Sequence, residues 1–308
     1  MKGIDISEFN GIINFDKLKD EVDFVMVRAG FGARTKLNKP AKEDKLFKKN
    51  CKELIKVGIP FGIYYYSYAL NEQESKDEIS FILSIIKEFK EFITFPVAID
   101  MEDSDSYKKN SGFPDNKTLC NICSTACDII GNSGYYPIIY ANLDYFTHYL
   151  KEESISKYNK WLAWWSKEAI EKIDKTKYQM LQYSSIGKVE GIGNNVDLNE
   201  SFVEFNKLIL YINNIKKMQE IKLYTGIEDI TIQYMSLYKF GNFLLDKIHK
   251  RVTLGSKIEK SDEDIKVIIQ REYDLEDKTM EWLSLYLYSE PLFLKLYRAI
   301  CKEENIDK

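Results

Sequence analysis

The stretch FPVAIDMED, residues 95–103, decides the fold and draws attention to one place in it. An apolar run that reads as a buried strand ends in acidic residues, with Asp100 and Glu102 two positions apart. Side chains at positions i and i+2 of a strand share one face, so these two residues would lie roughly 6.5–7 Å apart at their Cα atoms. We expect either a charged strand end that faces water or a site that needs two carboxylates side by side.

Strand and helix patterns alternate through the first 200 residues. The β-rich runs are 2–7, 24–30, 61–68, 95–102, 136–142, 160–165, 178–184 and 195–199. Helical patterns follow Phe15 and occupy about 42–57, 72–92 and 116–131. This alternation predicts parallel strands joined by crossovers, and eight strands favour a closed barrel over an open sheet. Because little helix separates the later strands, the α/β barrel should be irregular in its second half.

Two further acids occupy similar positions on predicted strands. Asp5 ends KGIDIS and Asp197 ends NVDLN, so Asp5, Asp100, Glu102 and Asp197 would come from three strand ends. Strand ends of a parallel barrel surround the mouth where barrel active sites lie. A single Asp at a strand end is more often a helix cap or a turn residue. Four acids at equivalent positions favour a site, and their crowding should raise at least one pKa.

Aromatic residues accompany the acids on the same strands. Tyr64 and Tyr66 would share one face of the third strand, Trp161 and Trp165 one face of the sixth, and Tyr140 lies at the end of the fifth. Carboxylates among aromatic rings suit a sugar, whose C–H faces stack on the rings while its hydroxyl groups bond to the acids. These rings could also be plain core, and for Trp161 both interpretations stay open.

Composition excludes several classes of partner. The 308-residue chain is 44% hydrophobic with a formal net charge of −4, so it has no basic footprint for nucleic acid or anionic lipid. No apolar run reaches the roughly 18 residues that a membrane helix needs. The N-terminal MKGIDISEFNG has one Lys and no apolar core of a signal peptide, which predicts a protein made in the cytoplasm.

The cysteines and histidines predict no metal or cofactor. In CNICSTAC, Cys120, Cys123 and Cys127 are spaced as one face of a helix, which favours core packing over a metal site. The odd total of 5 cysteines argues against a disulfide framework. Only His148 and His249 are present, and neither lies at a predicted strand end.

The last third of the chain changes character. We predict a first domain over 1–207, a linker over 208–221 and a helical domain over 222–308. IEDITIQYMSLYKFGNFLL (227–245) aligns without gaps on LEDKTMEWLSLYLYSEPLF (275–293), with Tyr234 opposite Trp282. The offset of 48 residues predicts two copies of one helical unit, although amphipathic helices can resemble one another by composition alone.

Taken in order, the motifs of the first domain resemble glycoside hydrolase family 25, the N-acetylmuramidases of phages and bacteria. The matching segments are GIDISEFNG, DFVMVRAGFG, GIYYYSYA, FPVAIDMED, YYPIIYAN, KWLAWW and MLQYSSIGKVEGIGNNVDLN, over about residues 1–205. The resemblance implies an irregular eight-stranded barrel that cleaves the β-1,4 bond between N-acetylmuramic acid and N-acetylglucosamine in peptidoglycan glycan strands. Many members have a His where this chain has Tyr65, a side chain that should point away from the barrel interior.

The resemblance also implies roles for individual residues. Glu102 matches the general acid, and Asp100 matches the carboxylate that steers the 2-acetamido group of the substrate. Asp5 and Asp197 match the acids that complete the site. An acetamido sugar beside a D-x-E pair fits a retaining, substrate-assisted reaction. The expected substrate-binding residues are Tyr64, Tyr66, Tyr140, Trp165, Gln182 and Arg28.

The helical domain matches no family that we recognise. By analogy with other wall hydrolases we expect it to bind a cell-wall ligand, with two copies increasing retention on a polymer. A homo-oligomer formed through its helices, or a structural cap on the barrel, are the alternatives.

The expected biological role is a phage endolysin that reaches the wall through a membrane pore or by lysis. A bacterial autolysin is the first alternative. A family 18 chitinase would need a D-x-x-D-x-D-x-E run, which this sequence lacks. A non-catalytic glycan-binding barrel would not need the acids of the D-x-E pair.

Overall fold

A computed structural model describes residues 1–32, 40–166 and 168–302 of the chain. The chain divides into two compact units, Met1–Ile209 and Leu210–Lys308. The division falls close to the end of the predicted barrel domain. Residues 208–221, which we expected to be a linker, are helical, because they lie inside one helix that runs from Phe205 to Thr225.

The first unit contains one mixed sheet. Its strands are β1 Lys2–Ile6, β2 Phe24–Phe31, β3 Lys42–Glu43, β4 Phe61–Tyr66, β5 Ile93–Asp100, β6 Pro137–Asn142, β7 Asn159–Ala163, β8 Met180–Gly187 and β9 Val196–Ser201. The strand order is β1-β9-β8-β7-β6-β5-β4-β2-β3, and β1 also pairs with β2. That last pairing closes eight strands into a barrel and leaves β3 at the edge of β2, which confirms the predicted architecture.

Two local features differ from the prediction. The helix expected from about residue 42 begins at Phe47, because Lys42 and Glu43 instead pair antiparallel with Phe31 and Gly30. A Cβ on Gly30 would lie 2.2 Å from the Lys42 carbonyl oxygen, so only glycine permits this close approach. The last strand, β9, is antiparallel to both of its neighbours, β1 and β8, rather than parallel.

Helices cover the outside of the barrel mainly in its first half. They are α1 Phe15–Leu18, α2 Phe47–Val57, α3 Glu72–Ile86, α4 Tyr107–Asn110, α5 Asn116–Asn132 and α6 Ala169–Lys172. The N-caps of α3 and α5 are Asn71 and Asp115, whose side chains accept backbone N–H bonds from Glu74 and Thr118. The prediction that helices become sparse after β6 is confirmed, since α6 has only 4 residues.

The alternation of side chains along the strands separates two cores. The inner core is packed around the stacked rings of Phe24 and Phe95, whose centroids lie 4.5 Å apart, and includes Trp161. The outer core lies between strands and helices and contains Tyr65, as expected for a residue that points away from the interior. The inner core fills the barrel, so a cavity can form only at its mouth.

Cys120, Cys123 and Cys127 are buried free thiols on α5 that belong to the outer core, as their helical spacing predicts. Within the described ranges, no group of three or more His, Cys, Asp and Glu side chains is placed to hold a metal ion.

The second unit is helical. After α7 Phe205–Thr225, its helices are α8 Asp229–Ser236, α9 Gly241–Leu254, α10 Ile265–Glu272, α11 Asp277–Ser284 and α12 Ser289–Ile300. Among the helices that the structure describes, none is both long and apolar enough to span a membrane.

The backbone of this unit repeats with the 48-residue offset seen in the sequence. Helix α8 corresponds to α11, and α9 begins 48 residues before α12. The turn before each pair has a left-handed residue at the same place, Gly226 with φ 67° and Asp274 with φ 52°. The residues before α9 and α12, Phe240 and Tyr288, also agree, with φ −114° and −109°.

The two copies face each other across a pseudo-two-fold axis. Four rings stack in the order Tyr238, Trp282, Tyr234, Tyr286, with successive centroids 4.5, 4.2 and 4.1 Å apart. The inner two rings occupy equivalent positions of the repeats, and so do the outer two. The contact of Tyr234 with Tyr286 is therefore matched by the contact of Trp282 with Tyr238, in which the two segments exchange places. Such reciprocal contacts characterise an isologous interface.

Polar contacts obey the same exchange. The Tyr286 hydroxyl lies 3.0 Å from Thr231 Oγ1, and the Tyr238 hydroxyl lies 3.3 Å from Thr279 Oγ1. The two threonines are 48 residues apart, and so are the two tyrosines. Because two sets of independent contacts share one offset, we propose that the helical unit is a pair of repeats.

Candidate active site

A cavity of about 530 Å³ opens at the mouth of the barrel. Its walls include every residue that the sequence marked as a site candidate: Asp5, Arg28, Tyr64, Tyr66, Asp100, Glu102, Tyr140, Trp165, Gln182 and Asp197. Trp161 also lines it, although its side chain is almost fully buried, so this ring belongs to both core and cavity. A volume of several hundred Å³ matches the usual size of a small-ligand site.

The four acids reach the cavity by different routes. Asp5 lies near the end of β1, Asp100 is the last residue of β5, and Glu102 follows two residues after that strand ends. Asp197, predicted at the end of its strand, is instead the second residue of β9. Since β9 runs antiparallel to β1, its beginning lies beside the end of β1, and Asp197 pairs directly with Asp5.

A network of hydrogen bonds fixes Asp5. Its Oδ2 accepts 2.8 Å bonds from both Gln182 Nε2 and Asn199 Nδ2. The Tyr140 hydroxyl and the Trp165 indole N–H both donate to Gln182 Oε1, at 3.0 and 2.9 Å. The Gln182 amide therefore links two aromatic side chains to the Asp5 carboxylate, and both its oxygen and its nitrogen have hydrogen-bond partners within the protein. We accordingly read Gln182 as an organiser of the site as much as a contact for substrate.

Asp100 is held differently. The residue is only 5% exposed, and among the described residues its Oδ1 finds no hydrogen-bond partner. A buried carboxyl oxygen without a partner is costly unless something else satisfies it. Because Asp100 lines the cavity, a polar group of a bound ligand can supply the missing bond.

Burial raises the pKa of all four carboxyl groups, and the charge of a neighbouring acid adds to the rise for Asp100, Glu102 and Asp197. For Asp100 the pKa rises well above its usual range, first through burial and then through the charge of Glu102. Burial, opposed by Lys108, raises the pKa of Glu102. Burial and the neighbouring Asp5 raise the pKa of Asp197 to about 8, while burial raises that of Asp5 despite its hydrogen bonds. A carboxyl group with a raised pKa can carry a proton near neutral pH, as a general acid requires.

Arg28 and Tyr66 line the cavity but are partly committed to protein contacts. The Arg28 guanidinium forms an ion pair with the buried Asp44 at 2.8 Å and lies 3.4 Å from Glu8. The Tyr66 hydroxyl accepts a bond from the Ser104 backbone N–H at 3.1 Å, which ties it to the segment after Glu102. Both side chains form part of the cavity wall.

Sequence reasoning missed the rim residue Phe9. Its ring is 75% exposed, lines the cavity, and lies 4.8 Å from the Arg28 guanidinium. Asn194 donates to its carbonyl oxygen at 2.8 Å, so the rim formed after β1 is tied to the loop before β9. An exposed aromatic ring four positions after Asp5 in GIDISEFNG was the signal that could have identified it.

Trp165 differs from the prediction in one respect. The strand expected over 160–165 ends at Ala163, so Trp165 does not continue the face of Trp161. Its ring is 62% exposed at the rim and is fixed by its bond to Gln182.

The histidines lie elsewhere. His148 is exposed and 2.8 Å from Asp144, and His249 contacts Glu220 in the helical unit. Neither lines the cavity.

Comparison with known proteins agrees with this geometry. The family model described as Glycosyl hydrolases family 25 matches residues 4–192. The modular autolysin LytC from Streptococcus pneumoniae, solved in complex with a synthetic peptidoglycan ligand, is 30% identical with a TM-score of 0.56. That alignment covers 64% of this chain and 46% of LytC, so the chain spans less than half of that protein.

Two further structures share the barrel. The bacterial lysozyme from Streptomyces coelicolor is 20% identical with a TM-score of 0.54, over 70% of this chain and 97% of the lysozyme. The catalytic domain of endolysin ply40 from bacteriophage P40 of Listeria monocytogenes is 23% identical with a TM-score of 0.52, over 68% and 96%. Comparison with curated proteins gave no match. Since the family model covers more than half of the sequence, the chain belongs to family 25 of the glycosyl hydrolases.

Proposed function

We propose that the barrel is a muramidase that cleaves the β-1,4 bond between N-acetylmuramic acid and N-acetylglucosamine in peptidoglycan. The observation that carries this proposal is the meeting of four carboxyl groups with raised pKa in one aromatic-lined cavity. Family membership and the likeness to LytC, solved with a peptidoglycan ligand, support the choice of substrate.

Glu102 is the proposed general acid. It lies beyond the rigid strand, is less buried than Asp100, and has a raised pKa, so it can hold a proton and still reach a ligand. In the first step it protonates the glycosidic oxygen as the bond to the anomeric carbon breaks. The 2-acetamido oxygen of the substrate attacks that carbon from the opposite face and forms an oxazolinium ion. Glu102 then accepts a proton from the water that opens this ion, which gives net retention.

Asp100 is the proposed partner of the acetamido group. Its unpartnered Oδ1 can accept the acetamido N–H, which orients the carbonyl oxygen for attack. The positive charge that develops on the acetamido group favours the ionised form of Asp100 despite its raised pKa, and the carboxylate stabilises that charge in a site with little water. Asp5 and Asp197 complete the wall, and the Asp5 network keeps Gln182, Tyr140 and Trp165 in place around the sugar.

Mass spectrometry of peptidoglycan digested by the full chain tests the bond that is cut. A muramidase releases fragments with N-acetylmuramic acid at the reducing end, whereas N-acetylglucosamine at that end would contradict the proposal. Wall binding without any released fragment would favour the glycan-binding barrel. NMR of the first product distinguishes the mechanism, since retention gives the β anomer and inversion the α anomer.

For the helical unit we propose binding to a cell-wall ligand. Its repeats expose matched apolar side chains, Leu237 and Leu285 at 81% and 82%, and Phe240 and Tyr288 at 54% and 52%. Two equivalent surfaces on one chain would bind a polymer with higher retention than either surface alone. The same exposed pairs could instead form a homo-oligomer, which is the second candidate.

Sedimentation with purified Gram-positive walls distinguishes these two. The inactive Glu102→Gln chain should sediment with walls, and the double variant Phe240→Ser/Tyr288→Ser should be retained less. Light scattering coupled to size exclusion should give a monomer for both. A dimer that the double variant abolishes would support the oligomer instead.

A phage endolysin, released through a membrane pore or by lysis, stays the proposed biological role, with a bacterial autolysin as the alternative. The similar structures include both kinds of protein.

A further inference from the structure

Lys108 is a fully buried lysine that does not line the cavity. Its Nζ donates to the backbone carbonyl oxygens of Ser67 at 2.5 Å and Glu102 at 2.8 Å. Ser67 follows strand β4 and Glu102 follows β5, so one ammonium group joins the ends of two neighbouring strands. Burying an ammonium group costs free energy unless its hydrogen bonds and charge are compensated, so Lys108 is not an ordinary solvent-exposed lysine.

A buried carboxyl group accompanies Lys108. Glu78 on α3 is fully buried and accepts 2.6 Å bonds from the Ser67 hydroxyl and the Tyr68 backbone N–H. Burial raises the pKa of Glu78 to about 7, while the charge of Lys108 opposes that rise. Ser67 thus contacts both groups, its hydroxyl bonding to the acid and its carbonyl to the lysine.

The segment after Glu102 is anchored at the same place. The backbone N–H of Lys108 donates to Asp103 Oδ1 at 2.7 Å, and that of Lys109 donates to Asp103 Oδ2 at 2.9 Å. Ser106, with φ 59°, adopts the left-handed conformation that few non-glycine residues accept. Both ends of residues 102–108 are therefore fixed. The Lys108 ammonium holds the backbone carbonyl of Glu102, and the Asp103 carboxylate holds the backbone N–H of Lys108.

The charged and titratable groups around Lys108 come from four elements. They are Glu78 on α3, Tyr66 on β4 with Tyr68 after it, Asp100 on β5 with Asp103 after it, and Cys123 on α5. Around Glu102 itself, the acidic neighbours Asp5, Asp103 and Asp105 oppose ionisation, and Lys108 favours it.

We propose that Lys108 is a positioning residue for Glu102, which it holds by the backbone carbonyl of residue 102 while its positive charge acts on the carboxyl group. This inference rests on the proposed role of Glu102 as the general acid. A fixed backbone keeps the acid within reach of the glycosidic oxygen, and a nearby cation limits how far burial and the acidic neighbours suppress its ionisation. Glu102 must release its proton as well as hold it, so both effects bear on turnover.

Two consequences follow from removing the ammonium group. The backbone of Glu102 loses its anchor, and misplacement of a catalytic group by about 1 Å can lower the rate about 100-fold. The pKa of Glu102 rises, because the charge that favoured its ionised form is gone. The high-pH limb of the rate profile, where the general acid loses its proton, therefore moves upward.

The test compares Lys108→Met, Lys108→Arg and the double variant Lys108→Met/Glu78→Gln in the full chain. The double variant leaves no lone buried charge, so it guards against a simple failure to fold. Lys109→Met, the same change at the next residue, is the matched control. Initial rates of reducing-end release are measured on purified peptidoglycan from pH 4 to 9, with thermal melting of each variant.

We expect Lys108→Met and the double variant to lower kcat about 10- to 100-fold with little change in KM, and to move the high-pH limb upward by about one unit. Lys108→Arg should restore the wild-type limb, and Lys109→Met should match wild type throughout. Folded variants whose limb does not move would overturn the inference, even if kcat falls. An active Glu102→Gln chain would instead defeat the proposed function, so the two failures are distinguishable.

Discussion

The barrel and the helical unit use long-range contacts in opposite ways. In the barrel, acids far apart in sequence, at positions 5, 100, 102 and 197, meet in one cavity where burial raises their pKa. In the helical unit, the two proposed repeats stack four aromatic rings against each other. The barrel brings carboxyl groups from separate strands together in a cavity, whereas the helical unit packs aromatic rings from equivalent positions against each other.

The carboxyl groups show the same contrast. In the helical unit, ion pairs with Arg251 and Lys247 lower the pKa of Glu272 and Asp274. Groups with lowered pKa support folding in their ionised form, and groups with raised pKa oppose folding once ionised. The difference indicates that the barrel gives up stability to keep protons at its site, whereas Glu272 and Asp274 of the helical unit contribute stability in their ionised form.

After Glu102→Gln, the largest expected effect concerns Asp100. Asp100→Asn should lower kcat on peptidoglycan about 100- to 1000-fold, because an amide cannot stabilise the charge that develops on the acetamido group. The measurement is initial-rate kinetics of reducing-end release. Asp16→Asn, an exposed acid on α1, is a suitable control that should keep wild-type rates. Near-normal turnover of the folded Asp100→Asn protein would remove the acetamido mechanism.

A smaller effect should appear in the helical unit alone. Trp282→Ala removes an inner ring of the stack and should destabilise this unit by about 2 kcal/mol, through lost burial and lost stacking. Trp282→Tyr places at position 282 the residue found at the equivalent position 234. It keeps an aromatic ring in the stack, so it should destabilise the unit by less than about 1 kcal/mol.

Hydrogen exchange with mass spectrometry separates the two units in this experiment. Faster exchange should be confined to α8 and α11 and their neighbours, while the barrel and its rate on soluble glycan fragments stay unchanged. An equal loss of protection in the barrel would contradict the description of two independent cores.

The smallest effect is a pH dependence of opposite sign in the two units. Asp197 binds more protons folded than unfolded, so its contribution to barrel stability is full below about pH 4 and is lost as pH rises through its folded pKa of about 8. The paired acids of the helical unit, Glu272 and Asp274, contribute stability at neutral pH that is lost only as pH falls below their usual range. Calorimetry from pH 5 to 8 should show the barrel transition falling and the helical transition flat.

Asp197→Asn sharpens this comparison, since it removes the carboxyl group whose pKa is raised to about 8. The slope of the barrel transition against pH should decrease, and the helical transition should not respond. A slope that persists unchanged would assign the dependence to other groups.

Much of the fold could be predicted from the sequence because the patterns that indicate it involve residues close together in the chain. Alternating strand and helix patterns, the D-x-E pair after an apolar strand and the 48-residue offset each depend on neighbouring residues. The antiparallel direction of β9 was not readable, because NVDLN is a strand in either direction and only its pairing with β1 and β8 decides. The short strand β3 was missed for the same reason.

The details of the site depended on contacts between distant residues. Gln182 fell within a matching segment, but its bond to Asp5, 177 positions away, is visible only in the folded chain. Lys108 lies in a polar stretch that reads as surface, yet the fold buries it behind Glu102. The aromatic stack was also hidden, since the alignment of two repeats does not state which faces meet.

The most direct test of the account is the activity of the Glu102→Gln chain on peptidoglycan. Gln preserves the shape of the side chain and removes the transferable proton, so the protein should fold as wild type and lose at least about 1000-fold in the rate of reducing-end release. A melting temperature equal to wild type, together with that loss, is the predicted result. Wall digestion at the wild-type rate by the folded variant would show that the proton comes from elsewhere.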